Sequence, residues 1–259
     1  MHDHQRSHSV STRFIRLSIV GGVATSSLLL LHIPSILLEQ APQLNDLPVW
    51  VLKLMMLINP LFMLMIAALL GAVCAHRVGL SSLLAGSAQS SLQPRCVSIS
   101  LIAGIIVAVV LVGLDHWSML YLAEHWQQAL TAQDTVPALS KLIVGLLYGG
   151  IAEEIMLRWG LMSLLLWLCL ACFKLTRTCS AILCILSTSL LFGIGHLPNL
   201  ALYADLDTAI VLRTVLLNAL AGSVYGLLFF RYHLEAAILA HMTTHIGFFI
   251  IGILLNGAL

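Results

Sequence analysis

Apolar runs separated by short polar segments recur along the whole chain, at 17–38, 51–75, 97–114, 139–173, 180–197, 210–230 and 234–254. Most are long enough to cross a hydrocarbon core of about 30 Å as a helix, which takes about 20 residues. They predict an all-α, polytopic membrane bundle of about seven to eight transmembrane helices, since only helices and closed barrels satisfy their own backbone in lipid. The first run is longer than the core of a cleaved signal peptide, about 7–15 residues, and reads as an anchor. The fourth run is too long: about 35 residues at 1.5 Å each reach roughly 50 Å. It predicts one long tilted or broken helix, or two shorter ones bent near Arg158 to Gly160.

The polar segments set the orientation. Arg6, Arg13 and Arg16 at the start, Arg77 and Arg95 after the second run, Lys174 and Arg177 after the fourth, and Arg231 after the sixth alternate with acidic connections at 39–48, 115–134 and 205–207. Basic loops stay on the cytoplasmic side, so the chain starts inside with about seven crossings. Residues 1–16 read as a cytoplasmic polar tail and 17–259 as a single transmembrane domain, with no internal repeat. Gly222 and Gly226 stand at the spacing that lets two membrane helices approach closely.

Composition agrees with this reading. Hydrophobic residues make up 60% of the 259, charged ones only 9%, and the mean hydropathy is +1.02. A formal net charge of +1 offers no basic surface for nucleic acid. The six cysteines lie mostly in apolar runs, where a free thiol behaves as a small hydrophobe, and Cys169-x-x-Cys172 lacks the second pair of a zinc or redox site.

Ionisable groups at membrane depth are costly and default to a functional reading. Glu153, Glu154 and Arg158 fall within six positions of the apolar fourth run. On a helix, Glu154 and Arg158 share a face and can pair, while Glu153 points about 100° away and is free for chemistry. Phe192 and His196 lie one turn apart in the fifth run, and His241 and His245 one turn apart in the seventh. Three histidines and a carboxylate on three helices suggest one convergent site. Two chemistries fit it. Glu153 could act as general base on a water held by His196, with His241 and His245 donating to the oxyanion of a tetrahedral intermediate. Alternatively, His196, His241 and His245 or Glu153 could bind Zn²⁺, with the metal activating the water.

Glu153-Glu154-x-x-x-Arg158, Phe192-x-x-x-His196 and His241-x-x-x-His245, in this order, resemble the three motifs of the CPBP family of CAAX proteases and bacteriocin-processing enzymes. The resemblance runs from about 139 to 247 and implies an intramembrane glutamic-type endopeptidase without a cofactor. By position it makes Glu153 the water-activating glutamate, His196 its partner, Glu154 and Arg158 the supporting pair, and His241 the oxyanion-binding histidine. Two residues depart from the family pattern: His245 stands where an amide is usual, and Trp159 where glycine often follows the arginine. The implied substrate is a membrane-associated peptide or protein, and the implied setting is a bacterial inner membrane. Two other classes compete: a proton-coupled transporter, which usually shows internal repeats, and an inactive scaffold or immunity-type protein, which would tolerate loss of Glu153.

Overall fold

The computed structural model describes residues 9–33, 38–39, 41–86, 93–124, 126, 137–202 and 205–256, and among these the chain forms helices joined by turns and short connections, with no strand. Among the described residues seven helices are long and apolar enough to cross a membrane: α1 Val10–Leu30, α2 Val49–Val78, α3 Pro94–Tyr121, α4 Ala138–Ala171, α5 Arg177–Leu200, α6 Thr208–Arg231 and α7 Leu234–Leu255. The protein is therefore a multi-pass membrane bundle, as the apolar runs predict. His2, His4, Arg6, His8, His125 and Asp134 lie outside the described residues.

The first helix starts at Val10, not near residue 17. Ser9 caps it by accepting from the Thr12 amide, and Arg13 is buried with Nη1 donating to the Ala72 carbonyl at 3.0 Å. A cation near the carbonyl end of α2 answers that helix's dipole, so arginine belongs to the bundle here instead of to a tail. The third helix likewise runs past its expected end. Asp115 lies within it and pairs with Arg213 of α6. Asp207, expected only as part of an acidic loop, caps α6 by accepting from the Ile210 amide at 2.9 Å.

Helix α4 is central, packing against α1, α2, α5, α6 and α7, while α3 packs on α7 and α5 on α6. It is one continuous helix of 34 residues. Residues Gly145–Glu153 and Ile155–Met162 wind with i→i+5 hydrogen bonds, where short π segments often mark functional positions. The wider turn holds more residues per unit length, which shortens a segment that would overshoot the bilayer as a plain α-helix.

Lipid-facing stripes recur at helical spacing, as in Ile102, Ile105, Ile106 and Val109 of α3 or Leu212, Leu216 and Leu220 of α6. Inward faces carry the small residues. At Gly222 an added Cβ would meet Ser189 of α5 at 3.2 Å, and at Gly226 it would meet Ile185 at 3.3 Å, so these glycines set the α5–α6 contact. Trp159 is fully buried against α2, where Gly71 leaves it room: a Cβ there would overlap the indole. The bulk gained at 159 is matched by the absence of a side chain at 71.

Candidate functional site

The supporting layer lies beneath the site. Glu154 and Arg158 are both fully buried on α4 and pair at 3.2 Å between Oε2 and Nε. Arg158 Nη2 donates to the Gly222 carbonyl of α6 at 2.8 Å, and its guanidinium lies 5.2 Å from the Phe192 ring centre and 5.7 Å from that of Tyr225. One buried cation thus joins α4, α5 and α6, with a carboxylate, a carbonyl and two aromatic faces around it.

The other oxygen of Glu154, Oε1, faces His241 Nδ1 at 2.9 Å. A carboxylate paired with arginine is acceptor-only. Nδ1 of His241 therefore carries the hydrogen, which fixes the tautomer and leaves Nε2 for chemistry. The imidazole is clamped between Tyr225, stacked at 4.4 Å between ring centres, and His245, stacked at 5.0 Å. The Tyr225 hydroxyl donates to Thr244 Oγ1 at 2.8 Å, and the Thr244 hydroxyl is shared between the Ala240 carbonyl of its own helix at 3.0 Å and the Gly104 carbonyl of α3 at 3.2 Å.

His196 lies where the main run of α5 ends, just after Ile194. With a hydrogen on Nδ1 it donates to the Phe192 carbonyl at 2.8 Å, leaving Nε2 as an acceptor. The Phe192 ring stands edge-on between His196, at 4.9 Å, and His241, at 5.9 Å. Chain direction puts His196 near the C-terminal end of α5 and His241 in the first half of α7. The break after Ile194 and the intervening Phe192 let both face one space.

That space is a cavity of about 300 Å³ lined by Glu153, His196, His241 and His245, together with Phe192, Tyr225 and Gly149. Gly149 matters most for its shape. A Cβ there would stand 2.7 Å from His245 Nε2 and 3.6 Å from His241 Nε2, so both ring nitrogens approach the same point of α4, four residues before Glu153. At Gly145 a Cβ would stand 2.5 Å from His245 Nδ1. The larger side chain at 245 is thus accommodated by two glycines on the facing helix.

Of the six residues expected to form a site, four line the cavity, and Glu154 and Arg158 support it from below. Sequence reasoning missed Tyr225, Thr244, Gly145 and Gly149. A tyrosine in the middle of a span, away from the interfaces it prefers, was the available signal. Among the described residues no group of three or more His, Cys, Asp or Glu side chains is placed to hold a metal ion.

Residues 135–247 match the family model described as type II CAAX prenyl endopeptidase Rce1-like. The matched region takes in α4 to α6 and α7 as far as Gly247, with all three motifs. No curated protein and no solved structure matches the chain.

Proposed function

We propose that this chain, whose residues 135–247 carry an Rce1-like CAAX protease domain, is a glutamic-type intramembrane endopeptidase that hydrolyses a peptide bond of a membrane-associated polypeptide. The single observation that supports this reading best is the shared cavity of Glu153, His196, His241 and His245, with Glu154 and Arg158 beneath it. Glu153 takes a proton from a water that His196 Nε2 holds, and the resulting hydroxide attacks the scissile carbonyl carbon. His241 donates to the oxyanion from Nε2 in its doubly protonated form, whose charge faces the Glu154 carboxylate, and His245 supplies a second donor. Glu153 then passes its proton to the departing amine. No metal enters this sequence of steps.

The test is cleavage of a library of quenched membrane-peptide probes by purified protein in detergent. Wild type should cleave with or without chelator, and Glu153→Gln and His196→Ala should not. Activity that disappears with chelator and returns with Zn²⁺ would overturn the glutamic mechanism. Cleavage that persists in Glu153→Gln would overturn the assignment of the base.

A further inference from the structure

The cavity is closed at one end of the bundle and open at the other. Below the site, towards the end of α4 and the turn between α6 and α7, Trp159, Met162, Leu166, Phe229 and Leu234 are all fully buried. Packing of this density leaves no path for a polypeptide. On the opposite side the cavity is walled by Leu31 after α1, Leu111 in the second half of α3, Lys141 and Val144 in the first turns of α4, and Phe248 in the second half of α7. Leu31 and Lys141 are both partly exposed. The helix directions agree: α1, α3 and α7 approach the open end as the chain proceeds, and α4 starts from it.

Charge tells which end this is. The closed end carries Arg16, Arg77, Arg95, Lys174, Arg177 and Arg231, while the open end carries Glu39, Asp46, Asp115, Asp205 and Asp207. Cations near the open end are tied to the protein: Arg213 pairs with Asp115, and Lys53 donates to the Leu29 carbonyl at 2.6 Å. Basic residues mark the cytoplasmic side of a bundle.

We infer that the cavity is reached from the non-cytoplasmic side of the membrane. Its substrate is then a polypeptide already exported or inserted, which presents an apolar segment from the outer face. The inference rests on the peptidase reading for the nature of the substrate but not for the direction of access. The walls facing the open end are mostly apolar, with Leu31, Leu111, Val144 and Phe248 beside Lys141. Such walls suit a membrane-embedded or interfacial stretch better than a soluble acidic one.

The test uses the full chain in right-side-out and inverted membrane vesicles, with a membrane-impermeant, sulfonated maleimide as probe and peptide mass spectrometry as readout. Cys179, exposed in the first turn of α5, marks the basic end, and buried Cys184 reports whether the fold is intact. New thiols are placed deep in the cavity by Asn218→Cys and at its mouth by Leu31→Cys, with Val144→Cys as a second probe should either variant expose Cys184. The expected result is modification at 218, 144 and 31 from the outside and at Cys179 only in inverted vesicles. Modification of Cys179 from the outside overturns the orientation. Modification at 31 but at neither 218 nor 144 from the outside, or at 218 only in inverted vesicles, overturns the direction of access. Because labelling needs no catalysis, these outcomes are independent of whether Glu153→Gln abolishes cleavage.

Discussion

Replacing Glu154 by Gln changes one atom in the layer beneath the site, and both partners of the carboxylate feel the change. Arg158 Nε needs an acceptor at the position of Oε2, and His241 Nδ1 faces Oε1. An amide has only one oxygen. If the arginine retains it, the NH₂ group turns to His241, moves its hydrogen from Nδ1 to Nε2 and removes the negative charge that faces the ring. Loss of a partner from a buried ion pair costs about 3–5 kcal/mol. At roughly 2–4 °C per kcal/mol for a chain of this size, the lower bound alone corresponds to about 6–12 °C in Tm. Activity should fall by about 10²-fold, the lower range for disabling an oxyanion donor, since a neutral Nε2–H can still donate weakly. Thermal unfolding in detergent and cleavage rate well below Tm separate the two effects. The double variant Glu154→Gln/Arg158→Met should regain most of the stability, because no uncompensated charge remains, but not the activity. The reasoning is refuted if Glu154→Gln retains near wild-type cleavage, or if the double variant is less stable than the single one.

Further predictions concern particular contacts. Gly149→Ala should abolish most cleavage, because its Cβ would stand 2.7 Å from His245 Nε2. Adding His245→Asn should restore part of the lost rate, and an additive loss in the double variant would contradict this steric account. Trp159→Gly should cost about 3–5 kcal/mol of stability by opening a cavity between α4 and α2, read as a lower Tm with cleavage kinetics unaffected at low temperature. Removing the α6 cap with Asp207→Ala should cost about 1 kcal/mol, measurable by the same unfolding assay and without effect on cleavage.

Whatever depends on solvent could be read from the residues in order. Apolar runs of bilayer length specify seven membrane helices, because the backbone must be satisfied within each segment. Glu153, Glu154, Arg158, His196, His241 and His245 stand out as candidates because ionisable groups are otherwise excluded from such runs, and four of them line one cavity. Motif order then named a family that the match over 135–247 supports. Packing decided the rest. It showed that Arg13 belongs to the bundle, because only packing brings its guanidinium to the Ala72 carbonyl. The π-winding of α4 is set by its packing against five other helices, so a long apolar run by itself does not distinguish one helix from two. The pairing of Glu154 with His241, 87 positions apart, fixes a tautomer that helical spacing cannot reach. The room for His245 lies on a different helix, at Gly145 and Gly149, and that for Trp159 lies at Gly71. Periodicity reports which face of a helix avoids lipid. Which residue meets which across that face depends on the packing of helices far apart in sequence, and that is where the site and its opening are made.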